Sequence, residues 1–470
     1  FGRITKEVRV HDTQTFPTKN YSYEYDGVAP EEIKISSRET NNTANTYDEY
    51  SFYDGFENLV QTKKEAENSR QIVTDIYYNE LFKIKNQSNP YFISSTENYS
   101  TPNVSIASTK FVYDVLDRIT ETTYPDETKT NITYNKWNIT IQDQNNNTKK
   151  QANNAHGKII EVREYNNGET YITNYNYDAV DNLISITDSL NNSINYTYDS
   201  LGRKISMKDP DMGTWKYGYD TIGNIINQTD NRNKTIFMRY DEINRIIYKN
   251  SSDENITYTY DTSKNNTLSQ IQIINNNLKI NTTINYTYDD RLRKINENTQ
   301  INNLIFINNW TYDSLDRTTS AGIADGEKIS YTYDSQGNLK EVSGINITYN
   351  EKNQPLNRTY TSSLTTNFTY NNQNFRLTKI QTSTLQDLNY NYDSVGNVIN
   401  INDTVNNKNY SMIYDNLDRL TYTNISEINN NEILNFTYNR IGNILQILHN
   451  GNNLTLTYNG NQIHAPSSVK

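Results

Sequence analysis

The sequence predicts an all-β protein built as one long antiparallel β-sheet ribbon of hairpin repeats about 20 residues long. Three observations carry this prediction. First, Tyr198-Asp199, Tyr219-Asp220 and Tyr240-Asp241 lie 21 residues apart. With Tyr-Asn counted as equivalent, the series includes Tyr113, Tyr134, Tyr177, Tyr260, Tyr288, Tyr312, Tyr333, Tyr349, Tyr370, Tyr392, Tyr414, Tyr438 and Tyr458. A period of this size denotes one supersecondary unit stacked many times. Second, the segments between landmarks alternate polar and apolar residues between clusters of turn formers. Third, hydrophobic residues make up only 34% of the 470 positions, yet 40 are tyrosines. So little apolar material fits either disorder or a thin structure, and regularly placed tyrosines decide for the second.

One unit runs from Gly202 to Tyr219. Gly202 to Met207 alternates as a strand, Asp209-Pro210-Asp211-Met212-Gly213 is dense turn chemistry, and Thr214 to Tyr219 alternates again. Asp220 to Asn224 then turns the chain into the next copy. Gly202, Gly223, Gly337, Gly396 and Gly442 occupy the turn position that needs positive φ. Asp117, Asp181, Asn244, Asp316 and Asp418, the next most tolerant residue types, fill it in other copies. A lone hairpin is marginal in water, so the copies must pair edge to edge. Between Tyr134 and Tyr177 the series passes through a decayed copy at Asn153 to Lys158.

The phrase Tyr-x-Tyr-Asp-x-x-Gly-Arg/Asn followed by an aliphatic residue resembles the YD-repeat signature of Rhs proteins, toxin-complex shells and teneurins. Tyr53 to Thr62 and Tyr124 to Thr128 read as further phrases of that family, and the resemblance extends over residues 50 to 460. It implies a ribbon that spirals into a β-solenoid, tube or partial shell. Toxin-shell members typically end in Arg-Tyr-Tyr-Asp-Pro and Asp-Pro-x-Gly-Leu phrases before a variable effector. Neither phrase occurs here, which under the resemblance weakens the case for an enclosed cargo.

Residues 1–105 are less regular, with Tyr25, Tyr53 and Tyr78 as landmarks, and read as irregular or capping repeats. Residues 106–470 read as the regular array. Phe1 to Thr5 reads as the tail of a repeat whose Tyr-Asp is missing. No apolar run is long enough to span a membrane. The absence of cysteine excludes disulfides and thiol chemistry, and a dispersed net charge of −11 without basic stripes argues against nucleic-acid binding.

A second signal overlies the first: about 26 Asn-x-Ser/Thr triplets. Asn131, Asn195, Asn255, Asn285, Asn309, Asn346, Asn367 and Asn435 each stand three residues before a tyrosine. Side chains alternate faces along a strand, so these asparagines and the following Thr share one face while Tyr and the residue two before it share the other. Glycans are bulky and face solvent, and the pattern therefore marks an outer face. Asn138, Asn191, Asn227, Asn402, Asn409, Asn424 and Asn453 complete the candidate acceptors. The bland reading is that Thr is a good strand residue before Tyr and that Asn reflects composition. The glycan reading implies an extracellular or cell-surface protein of a eukaryote or, given the Asn- and Ile-rich, cysteine-free composition, an archaeon.

Chemistry is sparse. His11, His156, His449 and His464 have no metal-ligand spacing, and no catalytic or phosphate-binding motif occurs. No catalytic, metal or cofactor residue is expected, and the covalent N-glycans stand in the cofactor's place. Aspartate turns such as Asp209 to Asp211 are explained by turn propensity. The Asp of each Tyr-Asp is expected to cap turn amides. The repeat tyrosines Tyr177, Tyr198, Tyr219, Tyr240, Tyr260, Tyr288, Tyr312, Tyr333, Tyr392 and Tyr414 are expected to form ladders of neighbouring rings. Trp137, Trp215 and Trp310 are the individual candidates for sugar contact.

These readings add up to a non-enzymatic, N-glycosylated structural or adhesive protein of the cell exterior. Its expected partners are itself, head to tail as a filament or coat subunit, or flanking domains of a longer chain, with surface glycans as a further candidate. A fragment of a toxin-encapsulating shell and a carbohydrate-binding module are the alternatives.

Overall fold

The computed structural model describes residues 2–25, 27–41, 43–262, 264–324, 326–427, 430–460 and 462–470. Phe1, on which the half-repeat reading of the first residues rests, lies outside them. The described residues form 42 strands and no helix. Pairing is antiparallel, mostly between strands consecutive in the chain, and the sheet does not close. The unit read from the sequence appears as written: Lys204–Asp209 pairs with Ser193–Tyr198 on one side and with Gly213–Tyr219 on the other.

Most regular copies share a register irregularity at the landmark, although Tyr134 pairs with Ile139 in unbroken register. Thr197 pairs with Ser206, but Tyr198 pairs with Lys204, so Ile205 is skipped. The same bulge recurs at Tyr219, Tyr240, Tyr288, Tyr312, Tyr333, Tyr349, Tyr370, Tyr392, Tyr414 and Tyr438. A bulge adds one residue to one strand and bends the pair locally. Repeating it at one position gives these copies the same local geometry.

The chain divides into two compact units, residues 1–128 with 259–272 and 281–383, and residues 129–258 with 273–280 and 384–470. Each contains an earlier and a later stretch of ribbon in contact with one another. The densest core lies in the first unit, where Tyr50, Phe52, Ala66, Ile72, Val73 and Tyr91 are buried. There Arg70–Tyr78 divides its pairing. Arg70 to Val73 meets Tyr91–Ser94, whereas Ile76 to Tyr78 meets Ile84–Ser88. Residues 95–107 then cross one face of the strands as a strap. The ring of Tyr99 meets Phe52 edge-on at 5.7 Å, the Gln61 amide exchanges hydrogen bonds with the backbone of Ser100, and the Lys63 ammonium donates to Ser100 Oγ at 2.7 Å. The covered face bears Tyr50 and Phe52, three and one residues before Tyr53. In many regular repeats, such as those at Tyr198 and Tyr312, these positions hold Asn and Thr. An apolar pair there requires a cover, and the strap supplies it.

Candidate functional site

The recurring structural element is the Tyr-Asp turn. Asp199 Oδ1 accepts the amides of Leu201 at 2.9 Å and Arg203 at 3.0 Å, and the Gly202 amide donates to the Asp199 carbonyl at 3.0 Å. Gly202, Gly223, Gly337, Gly396 and Gly442 all have positive φ, between 75° and 112°. Asp117, Asp181, Asn244, Asp316 and Asp418 do as well, between 60° and 66°, as their sequence positions predict. Amide donors favour the ionised carboxylate, so the Asp199 and Asp241 carboxyls lie below the usual range, chiefly through the backbone bonds from Arg203 and Arg245. The decayed copy is structurally intact: Asn154 Oδ1 accepts the amides of His156 and Lys158, both at 3.0 Å, and Gly157 has φ 78°.

The tyrosines act differently from the ring ladder that their spacing suggests. Tyr177, Tyr198, Tyr219, Tyr240, Tyr288, Tyr312, Tyr333 and Tyr414 each donate their hydroxyl to a backbone carbonyl in the preceding copy, at 2.6–3.0 Å. Among the described residues no ring pair joins these eight. Arginine occupies the space between copies instead. The guanidinium of Arg203 donates to Asp199 Oδ2 at 2.7 Å and to the Asp220 carbonyl at 2.9 Å, and its carbon lies 4.9 Å from the Tyr219 ring centre. Arg293, Arg317 and Arg419 lie over Tyr312, Tyr333 and Tyr438 in the same way. Asn224 stands where other copies have Arg, bonding Asp220 and then Asn244 of the next copy. Tyr260 and Tyr392 end the strands Glu254–Tyr260 and Gln386–Tyr392, half-buried like the others.

Within each unit the two ribbon stretches meet along a polar seam. In the second unit, Asn145 Nδ2 donates to Asp393 Oδ2 at 2.9 Å while its Oδ1 accepts the Ser394 amide at 3.2 Å. Asn166, itself buried, repeats this with Asp415 Oδ2 at 3.2 Å and the Asn416 amide at 3.1 Å. Further along, Asp211 accepts the His464 amide at 2.9 Å and faces its Nδ1 at 2.6 Å. A cleft of about 510 Å³ opens beside this seam, lined by Tyr171, Ile186, Ile194, Pro210, Leu417, Ile441 and polar neighbours that include Asp211 and His464. In the first unit, the side chain of Arg291 bonds buried Asp12 at 3.1 Å and Arg317 bonds Glu39 at 2.6 Å.

None of the 15 candidate glycan acceptors is buried. Asn138, Asn191, Asn195, Asn309, Asn346, Asn367, Asn402 and Asn453 are exposed. Asn131, Asn227, Asn255, Asn285, Asn409, Asn424 and Asn435 are half-covered. Asn227 packs over Gly218, where a Cβ would meet its amide nitrogen at 2.5 Å. The two-face pattern is visible directly: in Ser193–Tyr198, Asn195 and Thr197 are exposed while Tyr196 and Tyr198 are half-buried. Of the tryptophans, Trp137 is exposed, Trp215 has a buried indole N–H without a partner, and Trp310 packs under Lys294 at 4.2 Å. His156 lies 2.9 Å from Asp181, His11 and His449 lie at the edge of ion-pair distance from Asp290 and Glu432, and all four histidine side chains are exposed. Among the described residues no group of three or more His, Asp or Glu is placed to hold a metal, and no helix is long and apolar enough to cross a membrane.

Comparison with known proteins agrees with the geometry. A family model for the teneurin YD-shell matches residues 235–465, and one for the RHS repeat matches residues 177–212. The fold is similar to the crystal structure of TcdB2-TccC3-TEV, with a TM-score of 0.82 and 16% identity over 93% of this chain and 28% of the other. It is also similar to the Tc holotoxin pore of Photorhabdus luminescens, with a TM-score of 0.77 and 16% identity over 92% of this chain and 27% of the other. The chain thus spans little more than a quarter of the solved chains it matches. No curated protein matches the sequence. Signature, turn geometry and matched models agree: the chain belongs to the YD-repeat family of Rhs proteins, teneurins and toxin-complex shells.

Proposed function

We propose that the chain is a non-catalytic wall segment of a shell-like YD-repeat assembly, exposed outside the cell and carrying N-glycans on the Asn/Thr face. The observation that supports the wall reading most is the seam. Each unit spends its conspicuous buried polar contacts, such as Asn166 with Asp415 and Asp12 with Arg291, on holding one stretch of ribbon against another. The aspartates that might serve catalysis are engaged by turn amides in copy after copy, which leaves no copy chemically distinct. Similarity to toxin-complex structures favours a place within a larger assembly over free adhesion. Trp215 is part-buried and Trp310 lies beneath Lys294, which leaves Trp137 as the one exposed ring of the three and no row of rings for sugar stacking.

The glycan part rests on the eight exposed acceptor asparagines and on the place of Asn195, Asn309, Asn346 and Asn367 opposite the tyrosines. Peptide mapping of native protein, with and without glycosidase, tests it. Occupancy is expected at Asn195, Asn309, Asn346 and Asn367 before half-covered Asn227 and Asn424. Bare peptides throughout would remove the glycan reading. The wall reading is tested by limited proteolysis of the native protein. A wall resists cleavage across residues 129–258 and 384–470, and rapid cleavage within the strands would refute it.

A further inference from the structure

The third turn residue of the Tyr-Asp-x-x-Gly phrase is aliphatic in most copies, and its fate divides the copies of the second unit into two groups. In the earlier stretch Val180, Leu201, Ile222 and Ile243 are exposed at 76%, 72%, 70% and 61%. In the later stretch Val395, Leu417 and Ile441 are half-buried. Leu417 and Ile441 are covered because they face the hairpin ends of the earlier stretch, where Tyr171, Ile186, Ile194 and Pro210 line the same cleft.

The polar half of the seam divides the same way. Asp393 and Asp415 each take a second donor on Oδ2 from Asn145 or Asn166, and the following amides, of Ser394 and Asn416, donate back to that asparagine. In the earlier copies Asp178, Asp199, Asp220 and Asp241 have the same turn. Their Oδ2 atoms take only the Asn or Arg of their own copy. The amides of Ala179, Ser200, Thr221 and Glu242 donate to nothing among the described residues. Four turns therefore present, side by side, the apolar tip, carboxylate oxygen and free amide that the later copies bury under an asparagine-bearing hairpin end.

The complementary surface is also present and uncovered. At the hairpin ends of the earlier stretch, Asn145 is half-buried and Asn166 buried, each bonded to an aspartate of the later stretch. The later stretch's own ends at Thr404 to Asn407, Asn430 to Asn431 and His449 to Asn452 are exposed. Among the described residues the carboxamides of Asn407, Asn431 and Asn452 make no hydrogen bond.

We propose that the rim formed by the turns at Asp178, Asp199, Asp220 and Asp241 docks the asparagine-rich hairpin ends of a second copy of this chain, repeating the internal seam between molecules. The occupant is a second copy because this chain carries both halves of the joint, each already paired once inside it. Burying the aliphatic tips and satisfying a turn amide with each of Asn407, Asn431 and Asn452 favours the contact. The contact is heterologous, one rim against the other, and so propagates in a line. The inference rests on the wall reading but fails separately from it: a protease-resistant monomer would overturn this joint and leave the wall standing.

Sedimentation velocity of the full chain over a concentration series tests the proposal. The natural protein is expected to form a concentration-dependent series of oligomers. The variant Leu201→Asp/Ile222→Asp, altered at exposed tips, is expected to stay monomeric with an unchanged circular dichroism spectrum. So is Asn407→Asp/Asn452→Asp on the opposite rim. Mixed in equal amounts, the two are expected to give dimers and nothing larger, since one intact joint remains between them. A natural protein that stays monomeric at every soluble concentration would overturn the proposal, as would variants that assemble normally or a mixture that does not dimerise. Hydroxyl-radical protection of Leu201 and Ile222 in a monomeric longer polypeptide would give the rim to that polypeptide's own ribbon and refute a second copy.

Discussion

The hydroxyl of Tyr219 donates to the backbone carbonyl of Lys204 at 2.7 Å, tying each copy to the one before it by a bond that the ladder of strand pairing does not supply. Lys204 is the strand residue that immediately follows the preceding Gly-Arg turn, and the bulge at Tyr198 leaves its carbonyl available to the phenol. The ring lies beneath Arg203, whose side chain spans the same junction. Tyrosine is thereby required for its hydroxyl as well as for its ring.

Tyr219→Phe keeps the ring and removes the bond, leaving a part-buried carbonyl unpaired. The expected cost is about 1 kcal/mol. Stability in stacked repeats is a sum of local terms, so a single midpoint averages the effect away. Hydrogen exchange of the peptides covering 204–209 and 213–219 reads it locally: protection should fall there and stay constant in 398–403. Uniform protection would mean that the bond contributes nothing.

At Gly202 the restriction is in the backbone, not in space. Its φ is 75°, and an added Cβ would meet the Asn182 side chain only at ordinary contact, 3.5 Å. Gly202→Val should therefore cost about 1–2 kcal/mol from the left-handed conformation alone. Gly202→Asn should cost a few tenths, since Asn244 holds φ 66° at the equivalent place. Equal losses for the two variants, read by the same exchange measurement, would contradict this account.

These turns also show how much the amino-acid sequence reveals. Period, hairpin, positive-φ positions and the two-faced strand at Asn195 to Tyr198 were all legible, because each is a local consequence of residue type at a fixed spacing. The use of the tyrosines was not. Which carbonyl Tyr219 reaches depends on a bulge that skips Ile205 with no sequence mark of its own. The seam was equally hidden, since Asn166 and Asp415 are 249 residues apart and look like any other turn asparagine and repeat aspartate. One clue was available. Asn58, Asn182, Asn224, Asn338 and Asn397 alternate with Arg118, Arg203 and Arg245 after the turn, a substitution that makes sense only if the position donates to the preceding Asp.

Acid should loosen the turns through their aspartates. The Asp199 carboxyl is held below its usual range by the Arg203 amide and side chain, and Asp178 by Asn182. A carboxyl whose folded value is depressed contributes stability that is present above the unfolded value near 3.8 and is lost as pH falls through the folded value. Unfolding stability should drop below about pH 4. Asp199→Asn should lose less there, because Asn79 and Asn154 build the same turn without titrating. Equal acid sensitivity of exchange in 199–209 for both proteins would rule out this source.

Lys63 sets the opposite trend at high pH. Its side chain is fully buried under the strap, and burial pushes its pKa down to about 8 from 10.5, with Glu32 and Asp75 opposing the shift. Below about pH 8 the folded and unfolded chains both hold the proton, and the folded state carries the full cost of the buried ammonium. Between about 8 and 10.5 the unfolded chain binds a proton that the folded chain has released, so stability rises with pH across that window. The upper part of the window is contested by tyrosines. Burial raises Tyr77 and Tyr99 above 10, so the folded chain retains their protons longer than the unfolded one and stability falls again. The rise is therefore sharpest between about pH 8 and 10. Lys63→Met replaces the ammonium with an apolar chain of similar length and gives up its bond to Ser100. The variant should show no rise in that interval when exchange in the strap, residues 95–107, is followed against pH. If natural protein and variant climb together, Lys63 is not the group that titrates.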